Sequence, residues 1–371
     1  MRILAVETHY QTPTKNKEIR TSAVDWWRII SPFTHLQKNT DWEIDIQKGA
    51  LDHETAKLEV QDTQVEIEWT NVGLNYDLVF LSYMASAFGY SYLHVLGDRF
   101  GLKHSLDFDD DLLHVADYNP TAMKLAENPV TYEYLKTILK ISPYLTVTNP
   151  HLKKVYKDYR KKKKDEFIKI LPNYIDLEVY KPQKHIDDDV ITIAYQGGSS
   201  HYGDLTFTSF GMALSYILGK YKDKVKFELV GYLPGTDYED IPGVSKVAGH
   251  WDFYKWVAIW KERSRYWDIA VAPLEDIGFN ECKSNIKWQE YSAASVPVIA
   301  SNVGPYKFIQ DGETGFKVNS TKQWIEYLEA LINNETLRRK IGQQANKELQ
   351  DKWLIQNHWK EWKEVVEEIY G

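Results

Sequence analysis

Lys283, Lys287 and Glu290 stand four and three residues apart in Lys283-Ser284-Asn285-Ile286-Lys287-Trp288-Gln289-Glu290-Tyr291, a stretch whose pattern predicts a helix starting close to Ser284. A helix start exposes unpaired N–H groups and the positive end of the macrodipole, so an anion held there is stabilised. Lys283 or Lys287 beside it would add charge of the right sign. One turn further on, the Glu290 carboxylate can accept two hydroxyl hydrogen bonds, as a ribose requires. Together these groups describe a cradle for a nucleoside diphosphate. The same spacing would also serve a plain surface Lys287–Glu290 ion pair of ~0.3 kcal/mol.

Such groups need a rigid frame, and short β-branched apolar runs alternate here with helical periodicity, the pattern of a parallel sheet covered by helices. The pattern occurs twice. The first set of runs lies at 2–6, 77–83, 104–108, 144–148 and 168–171, and the second at 190–195, 226–230, 245–248, 267–272, 296–300 and 315–318. Between them, Leu171-Pro172-Asn173-Tyr174-Ile175-Asp176 and Lys181-Pro182 read as an interdomain hinge. That places one domain at 1–176, a second at 177–350 and a closing helix at 351–371. Trp324, Ile325, Leu328, Leu331 and Ile332 line one helical face, while Trp353, Trp359 and Trp362 on the last helix demand a partner surface.

The 371 residues exceed one core of ~150 residues, in keeping with two domains. With 43% hydrophobic and 26% charged residues the chain is neither disordered nor a coiled coil. A formal charge of −8 argues against indiscriminate coating of nucleic acid, although nine Lys or Arg against three Asp or Glu in 153–169 leave a local basic tract, read as a solvated helix end or a phosphate-contacting edge. One cysteine, Cys282, excludes an internal disulfide and suits a cytoplasmic protein. No run of ~18 apolar residues is present to span a bilayer, and the apolar start is too short for a signal peptide.

Residues 267–318 resemble the donor-binding signature of GT-B glycosyltransferases, specifically the retaining group 1 type (family 4). The likeness is carried by Pro273-Leu274, Lys283, Lys287, Glu290-Tyr291, Ala293-Ala294, Val296-Pro297-Val298-Ile299-Ala300-Ser301 and Asp311-Gly312-Glu313-Thr314-Gly315-Phe316. The hinge resembles the family's Pro-Asn-Gly-Ile-Asp segment, with Tyr174 in place of Gly. Gly197, Gly198, Ser199 and Ser200 resemble the first loop of the nucleotide domain, where glycine lets backbone N–H groups approach phosphate closely; a simple tight turn is the alternative. Leu106-Asp107-Phe108-Asp109-Asp110-Asp111 resembles the family's strand-end acidic element, which makes Asp109 and Asp110 candidates for contacting the transferred sugar or the acceptor hydroxyl. A helix N-cap cluster and a GT-A-type Asp-x-Asp metal pair, Asp107 with Asp109, compete with that reading. The polar and aromatic stretch after the first strand stands where relatives place an acceptor loop, so Arg20, Trp27 and Arg28 are the acceptor candidates.

Departures from the pattern are informative. The family's Glu-x7-Glu pair matches only at Glu290, because Cys282 stands eight residues earlier; the sugar contact then passes to Asn280, Glu281 or a backbone N–H of 279–282. The Arg and Lys that commonly follow the glycine loop are missing between Ser199 and Asp204, leaving phosphate charge to Lys283, Lys287 and the helix dipole. What the resemblance implies is an α/β GT-B fold, two Rossmann-like domains facing a cleft, with the terminal helix crossing back to the first. It implies hexosyl transfer with retention from a nucleoside diphosphate sugar, UDP-sugars favoured, to a hydroxyl acceptor, without cofactor or metal. A glycan is the expected acceptor. Alternatives are a hydroxymethylated base in DNA, reached by flipping, and a sugar-nucleotide-binding protein or epimerase without transfer. Peripheral membrane contact stays open.

Overall fold

The computed structural model describes residues 1–7, 21–48, 75–82, 97–119, 122, 129–161, 167–198, 201–206, 208–232 and 241–371. Two six-stranded parallel sheets organise them. The first contains β1 (Arg2–Glu7), β2 (Glu43–Lys48), β3 (Leu78–Ser82), β4 (Lys103–Phe108), β5 (Tyr144–Val147) and β6 (Phe167–Ile170), in the order β2-β1-β3-β4-β5-β6. The second contains β7 (Ile191–Gln196), β8 (Val225–Tyr232), β9 (Val244–Ala248), β10 (Ile269–Ala272), β11 (Val298–Ser301) and β12 (Phe316–Val318), in the order β12-β11-β10-β7-β8-β9. Strands such as Leu78–Ser82 and Val298–Ser301 are buried along their whole length, because helices cover both faces.

Each apolar run in the sequence corresponds to a strand, with ends shifted by a residue or two. One strand has no such run. Glu43–Lys48 alternates Ile44 and Ile46 with polar residues and pairs only with β1 at the sheet edge, so it needs one apolar face and shows no continuous apolar stretch. In the second sheet the chain turns in opposite directions on leaving β7 and β10, and the carboxyl ends of these neighbours border a crevice, the usual ligand position in such sheets.

The chain passes between lobes twice, and the two passages pair: Ile175 donates its N–H to Trp353 O (2.9 Å), and Ile355 donates to Ile175 O (3.1 Å). Beyond them the helix Ile355–Tyr370 lies on the first lobe, where Ile355, Trp362, Val366 and Ile369 share a core with Ile3, Ile29, Phe33 and Leu36. Trp362 is the centre of that contact, 6.1 Å from the Phe33 ring and 5.9 Å from Phe80. Trp353 instead stays at the seam, against Phe308 and Trp288 of the second lobe, and Trp359 is half-buried at the edge of the Trp362 core. The terminal helix therefore crosses back.

The basic tract includes the helix Pro150–Arg160, which turns Leu152, Tyr156 and Arg160 inward and leaves Lys154 and Lys157 exposed; residues 162–166 lie outside the described residues. Among the described residues no helix is long and apolar enough to cross a membrane.

The helix that carries Lys287 and Glu290, Ile286–Ala293, is held from behind by the helix Glu335–Lys352. Asn346 Nδ2 donates to Ser292 O (2.9 Å) and Ala293 O (3.2 Å), satisfying carbonyls at the helix end. Gly342 makes that approach possible: a Cβ there would lie 1.9 Å from Ser295 O. Gly342→Ala is expected to destabilise the protein by about 1–3 kcal/mol through overpacking, read as a lower midpoint in urea unfolding.

Candidate functional site

Lys283 and Lys287 reach the crevice from the turn before, and the first turn of, the helix Ile286–Ala293. Asn285 at its start makes no side-chain capping bond to the N-terminal N–H groups. Lys283 is only 8% exposed, its ammonium 4.8 Å over the Phe279 ring. Lys287 Nζ lies 3.0 Å from His201 Nε2, and His201 Nδ1 lies 2.8 Å from Asp204 Oδ2. Burial, then the Lys283 ammonium, pushes Lys287 down to about 8. Burial, then Lys287 and Lys283, pushes His201 down to about 3, so its ring is neutral at physiological pH. A neutral ring can both donate to Asp204 and accept from Lys287.

Glu290 is 5% exposed and already engaged. Tyr180 donates its hydroxyl to Oε1 (2.7 Å), Gln196 Nε2 donates to Oε2 (2.5 Å), and burial pushes the carboxyl up to about 7. The neighbouring Tyr291 hydroxyl accepts the Gln196 N–H at 2.8 Å, which fastens the end of β7 to the same helix. Beyond it Gly197 donates to Val230 O (3.0 Å), and a Cβ on Gly231 (φ +91) would fall 2.2 Å from Gly197 O. Close packing of the two strand-end backbones thus accounts for Gly231, whereas a Cβ on Gly197 would instead fall 2.7 Å from the Tyr195 hydroxyl. Gly198 has open space beside it, while Ser199 and Ser200 lie outside the described residues.

The first lobe meets this site through amides. Asn173 Nδ2 donates to Asp109 Oδ1 (2.9 Å) and to Ser284 Oγ (3.1 Å), its carbonyl oxygen accepts from Gln289 Nε2 (2.7 Å), and its Oδ1 accepts from Arg28 (2.9 Å). Asn149 caps the helix Pro150–Arg160 with its Oδ1, and its Nδ2 donates to Cys282 O (2.5 Å). Asp109 and Asp110, both half-buried, consequently stand close enough to the second lobe for Asp110 to act on Lys287. Burial, then Asp110, pushes Asp109 up to about 6.

Several residues sit differently from the sequence expectation. Arg28 has no exposed surface: its guanidinium is bidentate on Asp107 (2.6 and 2.7 Å) and donates to Leu171 O (2.6 Å). Trp27 is 3% exposed and packs on Tyr180. Both lie beneath the cleft wall, so they brace the 171–180 crossing and do not present a face to an acceptor; Arg20 is outside the described residues. Asp107 is spent on Arg28 and Thr146 Oγ1 (2.5 Å), so it does not join Asp109 around a metal as the Asp-x-Asp reading requires. Glu281 pairs with Lys307 (2.6 Å) and His151 (3.7 Å). Asn280 is fully buried, donating to Asp204 Oδ1 (2.8 Å) and Glu275 O (3.0 Å). Around the crevice Gln196 Oε1, Asn280 Oδ1, Asn285 Nδ2 and Gln289 Oε1 are buried without a protein partner, a concentration that a polar ligand would relieve. His201 and Asp204 were not singled out in the sequence, where the available signal was a His-x-x-Asp spacing just after the glycine pair.

Residues 208–334 match a family described as Glycosyl transferases group 1. Over 97 residues, 25% of the chain, the sequence is 41% identical to the capsular polysaccharide biosynthesis glycosyltransferase CapM of Staphylococcus aureus; the match spans 24% of CapM, about a quarter of its length. The whole chain is similar in structure to sucrose-phosphate synthase from Thermosynechococcus elongatus, with a TM-score of 0.66 at 15% identity, covering 100% of this chain and 99% of that one. It is also similar to HepE of Anabaena in complex with UDP, with a TM-score of 0.62 at 11% identity, covering 99% and 100%; HepE has also been solved with UDP-glucose. Matched in fold from end to end and in sequence over residues 208–334, the chain has the GT-B fold and carries within it a region similar to the group 1 glycosyltransferases.

Proposed function

We propose that the chain transfers a hexosyl group from a UDP-sugar to a hydroxyl of a glycan acceptor, with retention of anomeric configuration. One observation carries the reading: two ammonium groups, Lys283 and Lys287, converge at the uncapped start of a helix bordering the β7–β10 crevice. UDP as the nucleotide is supported by the HepE complexes, and a glycan acceptor by the capsular polysaccharide role in the name of CapM. In this reading 1–176 serves the acceptor, 177–350 the donor, and 351–371 ties the two.

The costly event is departure of the diphosphate from an oxocarbenium-like centre, so the main contribution is stabilising charge on the leaving group with Lys283, Lys287 and helix N–H groups. The acceptor hydroxyl attacks on the leaving-group face; the new glycosidic C–O bond forms as the anomeric C–O bond to phosphate breaks, and the hydroxyl proton passes to a phosphate oxygen. Retention is what the family resemblance implies, and no protein nucleophile is assigned. Glu290 would receive ribose hydroxyls on the lone pairs that Tyr180, Gln196 and Trp256 leave free. Asp109 and Asp110 would meet the transferred sugar or the acceptor from the opposite lobe. The partnerless Asn280 Oδ1 and the 279–282 backbone are the candidates for the sugar contact.

Incubation with a radiolabelled UDP-hexose should yield product with a glycan acceptor and none with duplex DNA; binding without product would reduce the protein to a sugar-nucleotide binder, and donor conversion without acceptor would make it an epimerase. Lys283→Ala and Lys287→Ala should each lower turnover by ~10² or more at saturating donor, as loss of charge-stabilising donors does elsewhere. Unchanged turnover in both would remove the leaving-group role. Glu290→Ala should raise the Kd for UDP in calorimetry. Asp109 is the pH reporter. Its folded pKa of about 6 lies above the ordinary value of 3.8, so its contribution to stability is intact below the ordinary value and is lost as pH rises through about 6. Asp109→Asn should therefore gain stability over the wild type progressively between pH 4 and pH 7, measured by urea unfolding at both ends.

A further inference from the structure

We propose that Asp204 fixes the tautomer of His201, and that the imidazole so oriented is the positioning group that holds the Lys287 ammonium at the donor site; the second half rests on reading Lys287 as a donor-site cation. Asp204 has no exposed surface, and its two oxygens face different partners. Oδ1 is surrounded by donors: Asn280 Nδ2 at 2.8 Å, the Glu275 N–H at 3.1 Å and the Tyr118 hydroxyl at 3.3 Å. Oδ2 faces His201 Nδ1 at 2.8 Å. An ionised carboxylate only accepts, so Nδ1 carries the ring proton. The other nitrogen, Nε2, then has a free lone pair 3.0 Å from an ammonium that can only donate. Donors therefore run in one direction, from Lys287 to His201 to Asp204.

The charges facing this chain agree with a neutral ring. His201 faces Lys287, Lys283 and Asp204; Lys287 faces Lys283, Asp204, Glu290 on its own helix and Asp110 from the first lobe; Asp204 is approached by Glu275 and Tyr118 as well. An imidazolium would add a third cation beside two ammonium groups. Bound to the neutral ring by one N–H, Lys287 keeps two N–H groups for phosphate oxygens. The loop after β7 has no Arg or Lys between Ser199 and Asp204, and here it supplies an acceptor that aims a cation from the helix opposite.

Asp204→Asn separates this role from bulk or charge. The position of Oδ1 must stay an oxygen because three donors converge on it, so the new amide nitrogen faces His201 and donates to Nδ1. The ring proton must then move to Nε2, where it confronts the Lys287 ammonium. Loss of a nearby carboxylate would by itself tighten an anion; loss of positioning would weaken it. In full-length protein labelled with ¹⁵N-histidine, with His201 assigned by its disappearance in His201→Gln, the wild type should show the Nδ1–H tautomer from pH 6 to 8 and Asp204→Asn the Nε2–H tautomer. In calorimetry with UDP, Asp204→Asn and His201→Ala should weaken binding about tenfold or more, whereas His201→Gln, whose Oε1 can stand in for Nε2, should stay within about threefold of wild type. An imidazolium or Nε2–H signal in the wild type would overturn the tautomer assignment. Wild-type UDP binding that Asp204→Asn and His201→Ala leave unchanged would overturn the positioning role. If the tautomers behave as stated but the wild type binds no UDP, the donor-site reading fails and the tautomer assignment stands. Should Asp204→Asn fail to fold, the contrast between His201→Ala and His201→Gln decides.

Discussion

Two ammonium groups one helical turn apart, with little water to screen them, set the terms for everything around the second-lobe crevice. Lys283 is 8% exposed, and Lys287 is pushed down to about 8 by burial and by Lys283. Such a pair is costly unless charge of the other sign is near, because a low local dielectric magnifies repulsion as much as attraction. Asp204, Glu290 and Asp110 all act to keep Lys287 charged. Yet the pairing is incomplete: among the described residues the ammonium's hydrogen-bonding side-chain partner is a neutral imidazole, and Glu290 is itself pushed up to about 7 by burial. In the reading proposed above, a site left short of negative charge in this way would favour an anion.

The lobes are held by two kinds of contact with different consequences. Along one side Trp26 stacks on Phe253 at 4.4 Å, while the Thr21 backbone exchanges hydrogen bonds with Asp252 Oδ2 (3.2 Å) and the Phe253 N–H (2.8 Å). Both rings are buried, so this side is an apolar joint. Along the other, Asn173, Asn149 and Tyr118 reach across with neutral amide and hydroxyl groups. These fix geometry without adding charge to a crevice whose electrostatics depend on Lys283 and Lys287.

Much of the architecture was legible because a buried parallel sheet leaves a strong trace. Runs such as Ile191–Gln196 and Val298–Ser301 are buried on both faces and so mostly apolar, and hinge prolines punctuate the passage between lobes. Glu43–Lys48 escaped notice because an edge strand needs apolar residues only on alternate positions. At the site, the Lys283, Lys287 and Glu290 spacing was readable because a helix converts three- and four-residue intervals into one face. Arg28 shows the limit of such reading. Composition marks it as a surface cation, and only the tertiary fold, by presenting Asp107, Leu171 O and Asn173 together, makes it a buried brace. His201 was hidden for a related reason, since its partner Lys287 comes from a helix 86 residues away.

The sign of the perturbed groups differs across the cleft. On the first lobe Asp109 is pushed up to about 6, and on the second Lys287 is pushed down to about 8, so each approaches neutrality for want of water. Asp110 acts in both directions, raising its neighbour Asp109 and helping Lys287 stay charged across the gap. Separating the lobes would rehydrate both groups, but it would also break the amide contacts at Ser284 and Cys282, each worth about 0.5–1.5 kcal/mol. The Trp362 core and the paired crossing at Ile175 are a different matter, because breaking them would expose a large apolar surface and unpair buried backbone groups. Between these scales lies the physical distinction between joint and hinge: the polar edge of the cleft can part at modest cost while the terminal helix keeps the lobes in register.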